Sequence, residues 1–306
     1  LKDSPESITQ LMLVPDGVLY YLPFETTLVQ IHPQNDKRFP KGREYMLHRY
    51  SIHYTHSVSV LGMIYAQVKS RDLAVMAARK TFVGFGDPEY KPDEENEDDF
   101  EYNKTLKQQG FYDLDRLINS KNELEQISSN FPDSNTVFLR ENAKESAVKS
   151  SLSNVRYIHF ATHGILDERN PEFSGVIMNL VQSDKPEDGF LQASEIFDLK
   201  LNSDLVVLSA CETGLGKVIK GEGMVGLTRS FLFAGTSSIV VSLWTVADES
   251  TSKLMIYLYK FLGEGLPKDE ALRKARLTLM NEKEEDEFLF PDPFFWGPFI
   301  LNGTRI

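Results

Sequence analysis

The chain has 306 residues, 41% hydrophobic and 25% charged, with one cysteine and a net charge of −12. That composition is ordinary for a soluble globular protein, and it excludes collagen, coiled coil, wholesale disorder, an intramolecular disulfide framework and a multi-cysteine metal site. The acidic balance speaks against nucleic acid, whose phosphates are met by basic surfaces, and the length allows one large domain or two.

From the front, Leu11–Val14, Leu19–Leu22 and Tyr50–Tyr54 read as strands, and one helix is expected near Val58–Arg79. Thr81–Phe85 is a weaker strand. Between Asp87 and Glu101, nine acidic residues and one lysine carry two thirds of the net charge. Such a run repels itself and reads as a solvated loop. Ser120 with Glu123 three residues on has the spacing of a capping box, ahead of Leu124, Ile127 and Phe131 on one helical face. Thr136–Leu139 is a second weak strand, and Asn142 with Glu145 repeats the capping device before Val148 and Leu152.

Val155–Ala161, Leu205–Ala210 and Ser238–Trp244 are short continuous apolar runs, the pattern of strands buried on both faces. Met224, Leu227 and Phe231 form a helical face that Gly235 stops. Leu254, Tyr257, Leu258 and Phe261 form another, stopped by Gly263, and Pro267 opens a last helix through Leu279. The uncharged stretch Ser230–Ala247 holds too many small polar residues for a membrane span, and no signal peptide opens the chain. Strands alternating with helices predict an α/β layered fold with a mostly parallel central sheet flanked by helices. A first residue of Leu1 rather than Met points to a domain of a longer polypeptide.

Two residues follow buried strands at the edge where parallel α/β sheets bind ligands. Cys211 lies in Ser209-Ala210-Cys211-Glu212-Thr213-Gly214, and His163 in Ala161-Thr162-His163-Gly164. If their strands are neighbours, about 4.8 Å apart, thiol and imidazole come within working reach. A thiolate attacks and an imidazole relays the proton, so this pair is a candidate nucleophile and base; a small buried hydrophobe is the alternative reading of a lone cysteine.

His159 and His163 are four apart, about 13 Å on a strand, so they cannot share one ion. His159 reads as a core histidine. Gly221-Glu222-Gly223-Met224-Val225-Gly226 has the dinucleotide-loop spacing, but the strand before it ended ten residues earlier, so a loop with a helix start is the better account. Ser242-Leu243-Trp244-Thr245-Val246-Ala247-Asp248 ends a third strand at the same edge. Trp244 is core or the wall of a cleft. Asp248 is a helix cap or a pocket carboxylate that pairs with a basic side chain.

At these residues the chain resembles the CHAT domain, a caspase-like domain often found with tetratricopeptide repeats in bacteria. Leu13-Val14-Pro15-Asp16-Gly17, Leu22-Pro23-Phe24-Glu25 and Phe85-Gly86-Asp87-Pro88 open the likeness. His159-Phe160-Ala161-Thr162-His163-Gly164 and Leu208-Ser209-Ala210-Cys211-Glu212-Thr213-Gly214 form its centre, and Phe295-Trp296-Gly297-Pro298-Phe299 closes it.

The resemblance implies a cysteine endopeptidase related to caspases and separases, with His163 and Cys211 as dyad and the backbone N–H groups of Gly164 and Cys211 as oxyanion hole. It also places Asp248 where a separase aspartate receives an arginine before the scissile bond, with Trp244 and Ser242 beside it, so cleavage after a basic residue is expected. Residues 1–105 are expected as a pseudo-caspase half bearing the acidic loop 87–101, and 106–306 as the catalytic half. The expected partners are a protein substrate and N-terminal tetratricopeptide-type repeats or an activator protein, with no nucleic acid, membrane, metal or cofactor. The expected location is the cytoplasm. The rival reading is a non-catalytic caspase-like scaffold. The stretch Leu215–Glu222, with Lys217 and Lys220, reads as a surface loop, with a self-cleavage loop as the alternative.

Overall fold

The computed structural model describes residues 8–33, 39–90, 114–167, 170–181, 186–209, 222–244 and 247–306. Eight strands form one sheet: β1 (Gln10–Leu13), β2 (Ser51–Tyr54), β3 (Lys80–Gly86), β4 (Asn135–Leu139), β5 (Val155–Ala161), β6 (Leu205–Leu208), β7 (Ser238–Ser242) and β8 (Phe299–Gly303). Their spatial order is β1-β2-β8-β7-β6-β5-β3-β4. Every neighbouring pair is parallel except β7 with β8. The sheet is therefore mostly parallel, as the alternating pattern predicts, and strands from both sides of residue 105 build it.

The principal helices are α1 (Val58–Lys69), α2 (Leu73–Ala77), α3 (Ile118–Ser128), α4 (Glu145–Ser151), α5 (Ala193–Asp198), α6 (Glu222–Ala234), α7 (Asp248–Gly263) and α8 (Lys268–Met280). They cover both faces of the sheet. On one, Ile158, Phe160, Val206 and Leu208 pack with α1, α4, α5 and α6 residues such as Ile64, Val148, Ile196 and Phe231. On the other, Tyr157, Leu205 and Val207 pack with Leu124 of α3, Leu258 of α7 and Leu272 of α8. Alternate residues of β5 and β6 thus enter opposite cores, which is why both strands read as unbroken apolar runs. Among the described residues no helix is long and apolar enough to cross a membrane.

Several local expectations are corrected. Leu19–Leu22 is not a strand: Gly17–Tyr21 forms a 3-10 turn that starts at Gly17 with φ 55°. The helix expected over Val58–Arg79 breaks at Ser70–Asp72, where Asp72 caps α2 through the Ala74 N–H at 2.7 Å. Neither capping box forms, because α3 starts at Ile118 and α4 at Glu145, and the carboxylates serve tertiary contacts instead. α7 includes Gly263, and the chain turns at Gly265, φ 83°. Gly235 does end α6, with φ 119° and the Leu201 carbonyl where a Cβ would stand.

The opening motif has a structural role. Glu25 is fully buried and joins Arg276 of α8 (Nη1 to Oε1, 2.8 Å) and the Tyr54 hydroxyl of β2 (2.5 Å). Arg276 also donates to the Phe299 carbonyl of β8. The front segment is thereby tied to the far end of the chain.

Candidate active site

Within the sheet, β3 and β4 extend to one side of β5, and β6 and β7 to the other. Chains running out of β3 and β5 therefore diverge at a switch point, where α/β sheets form crevices at the carboxyl edge. His163 stands there, two residues past β5. Its neighbour β6 is parallel, with Leu208 opposite Phe160, so the condition that the two strands adjoin is met. The segment Ala210-Cys211-Glu212-Thr213-Gly214 lies outside the described residues, as do Lys217, Lys220, Gly221, Thr245 and Val246. Ser209 is the last described residue on the way to Cys211, and its N–H donates to the Phe160 carbonyl at 2.9 Å.

His163 is buried, and each of its polar atoms but one has a described partner. Its backbone N–H donates to the Tyr90 hydroxyl at 3.1 Å and its carbonyl accepts from Ile177 at 2.8 Å. Ring Nε2 lies 2.7 Å from the Asp115 carbonyl oxygen. A carbonyl only accepts, so Nε2 carries the proton and Nδ1 keeps the lone pair of a neutral imidazole. Nδ1 is buried and has no hydrogen-bond partner among the described residues. Burial pushes the His163 pKa below its ordinary 6.5, opposed by the Asp115 carbonyl and by the charges of Asp115 and Asp248.

The Asp115 carbonyl is itself braced. Asp87, fully buried at the end of β3, holds the Arg116 guanidinium with both oxygens (2.6 and 2.7 Å). The Asp87 N–H donates to Ser120 Oγ at 2.8 Å, and Ser120 donates to the Leu117 carbonyl at 2.6 Å. Asp87 has φ 47°, a left-handed conformation that aspartate tolerates better than most residues. α3 sits close on β3 because Gly84 and Gly86 carry no Cβ; one at either position would lie 2.6 Å from Leu124.

Asp248 opens α7, half-buried, and its Oδ2 accepts the Asn119 N–H of α3 at 3.1 Å. It thus caps a helix, though not its own, and it lies near enough to His163 to act on the ring's charge. Ser242 is buried and donates to the Trp244 carbonyl at 2.7 Å, while the Trp244 indole donates to the Phe294 carbonyl at 3.2 Å. Trp244 packs against both cores. Gly164 pairs with Val176 in a small antiparallel sheet of Gly164–Ile165, Gly175–Ile177 and Phe190–Gln192. β7 is paired with β8 over Ser238–Ser242 and with β6 at Ile239 and Val240, so at those two residues its backbone takes no added strand.

Two features were missed in the sequence. Asp115 contributes a backbone atom, which no residue type announces. Glu123 resembled a cap but is buried at 1% exposure, where its Oε1 meets His159 Nε2 at 2.7 Å and the Ser209 hydroxyl at 2.9 Å. His159 is fully buried, as expected of a core histidine, with Nδ1 3.2 Å from the Tyr259 hydroxyl. Elsewhere, Glu145, Glu187 and Glu195 bring carboxylates together, but the Lys149 ammonium reaches all three, making the cluster an ion-pair clasp.

Compared with known proteins, the CHAT domain family model matches residues 1–304. Tetratricopeptide repeat protein 28 of Mus musculus is 33% identical over 116 residues, covering 38% of this chain and 4% of its own length. Its Homo sapiens counterpart is 28% identical over 194 residues, covering 54% and 8%. The chain thus spans less than a tenth of these curated relatives. Among solved structures, the Arg specific cysteine proteinase gingipain R has a TM-score of 0.55 at 10% identity, over 97% of this chain and 63% of that one. Its likeness is one of fold.

Proposed function

The chain belongs to the CHAT domain family, with a caspase-like layered fold, and from that premise we propose that it is a cysteine endopeptidase using Cys211 and His163. The observation that carries this reading is the His163 ring, with Nε2–H fixed on the Asp115 carbonyl and a buried Nδ1 lacking a described partner. A nitrogen held in that state is a proton acceptor waiting for a donor. The chain that leaves the adjoining strand leads to the only cysteine in the sequence.

In the reaction, Nδ1 takes the thiol proton and the thiolate attacks the scissile carbonyl carbon. The C–N bond breaks as the imidazolium returns its proton to the amine, leaving a thioester on Cys211. Water then attacks the thioester, its proton passes to Nδ1, and the acid and thiol are released. The oxyanion is assigned to the backbone N–H groups of Gly164 and Cys211; such donors are typically worth about 10²–10³ in rate.

Cleavage after a basic residue is assigned to the Asp248 carboxylate, whose charge acts on His163, with Trp244 and Ser242 as further substrate-binding residues. Gingipain R, which shares the fold, is Arg specific. A repeat region or an activator protein is the proposed regulator, in keeping with the tetratricopeptide repeats of the named relatives.

The test is intact mass after incubation with peptidyl electrophiles bearing Arg, Leu or Asp before the reactive group. A single adduct, fastest with Arg and absent from Cys211→Ala and His163→Ala, is the expected result. Preference for Leu or Asp would remove the basic specificity, and no His163-dependent adduct would leave a scaffold module.

A further inference from the structure

Glu123 stands out among groups that the reaction above does not use. It is a carboxylate at 1% exposure on α3, and its two hydrogen-bond partners among the described residues come from two other strands of chain, His159 on β5 and Ser209 after β6. Tyr259 of α7, fully buried, closes the far side of His159. Burying a carboxylate costs several kcal/mol unless donors converge on it. Here two donors share one oxygen, at the point where β6 gives way to the cysteine segment. A helix wanting only stability would place an apolar residue there, as it does at Leu124 and Ile127.

We propose that Glu123 is a positioning residue that fixes Ser209, two residues before Cys211, and so sets the nucleophile against His163. The inference rests on the Cys211–His163 reading. His159 acts as the strut: with Tyr259 donating to Nδ1 and Nε2 donating to Glu123, the ring holds the carboxylate at one height above the sheet. Ser209 is then located twice, by its N–H on Phe160 of β5 and by its hydroxyl on Glu123. The same helix start carries the other two contacts of the site, since Asp115 just before α3 holds His163 and Asn119 within it holds Asp248. One rigid element thereby places all three groups.

Because the chain has one cysteine, alkylation by iodoacetamide reports Cys211 alone. The rate at pH 7 is measured for the whole chain and for Glu123→Gln, Ser209→Ala, the double variant and His163→Ala, with thermal unfolding of each. Glutamine keeps the size of the side chain but not its charge, so Glu123→Gln weakens both contacts with the least disturbance of the packing, and the unfolding measurement reports whether it folds. The expected result is that Glu123→Gln and Ser209→Ala each change the rate about tenfold, as misplacement of a reacting group does, and that the double variant changes it no further. A Glu123→Gln and a Ser209→Ala protein that both label within twofold of the unaltered chain would overturn the proposal, even if both melt earlier. If His163→Ala labels like the unaltered chain while the other two variants do not, the peptidase reading fails and takes with it the setting of Cys211 against His163, leaving only that Glu123 and Ser209 govern the thiol.

Discussion

Asp115 serves His163 with its backbone carbonyl rather than its carboxylate, 2.7 Å from Nε2. A carboxylate there would favour the imidazolium; a carbonyl fixes the tautomer with a smaller pull on the proton, leaving burial to keep the ring neutral. The atom that matters is therefore only as well placed as its peptide, and that peptide is held by the Asp87–Arg116 pair.

Removing that brace is expected to loosen the imidazole without unfolding the sheet. Asp87→Asn keeps a residue suited to φ 47° and keeps its N–H on Ser120, but loses the bidentate ion pair. Imidazole nitrogen NMR on this variant should show His163 losing its single Nε2–H tautomer, and peptidyl labelling of Cys211 should slow about tenfold. Arg116→Ala should reproduce the NMR change, and because it leaves the fully buried Asp87 carboxylate without its bidentate partner, a loss of stability is expected beside it. A single Nε2–H tautomer in both variants would show that the brace is dispensable.

The Glu25–Arg276 pair makes the opposite prediction, a large effect on stability. Both side chains are at most 2% exposed, and removing one strands the charge of the other in the core. Arg276→Met should cost about 3–5 kcal/mol in urea unfolding. The double variant Glu25→Gln with Arg276→Met should recover part of that loss, because no lone charge remains. Equal losses in the single and double variants would argue against an uncompensated charge as the cause.

What the sequence revealed and what it hid follow from where each interaction lies. β5, β6 and β7 were legible because a strand buried on both faces must be apolar at every position, and the order of motifs along them gave the family. Gly235 was legible because a left-handed helix end calls for glycine. Ser120 and Glu123 misled for a physical reason: a polar pair three apart serves equally as a cap or as two tertiary anchors. The choice depends on Gly84 and Gly86, which let α3 descend onto β3. Leu19–Leu22 misled because apolar residues beside the sheet edge looked like a strand, whereas Gly17 starts a tight turn. Asp248 was open between cap and pocket, and the structure has it capping α3 from outside while lying near His163, a contact between elements 129 residues apart.

The pH dependence of Cys211 labelling follows from the groups around His163. Burial lowers its pKa below 6.5, while the Asp115 carbonyl and the charges of Asp115 and Asp248 oppose the drop; Tyr90, whose pKa burial raises, stays neutral. The neutral ring is the competent base, so the acid limb of the labelling profile should fall at a pH below 6.5. Asp248→Asn removes a charge that favours the imidazolium, so its limb should move further down, together with any preference for Arg. The stability sign is the same way round. Below 6.5 the unfolded chain takes up a proton that the folded His163 resists, so the folded state loses stability as pH falls through that window. His163→Gln lacks this group, and its stability relative to the unaltered chain should improve as pH drops from 7 to 5. An acid limb that moves up in Asp248→Asn would mean that Asp248 does not act on His163 through its charge, and the pocket assignment would lose its electrostatic support.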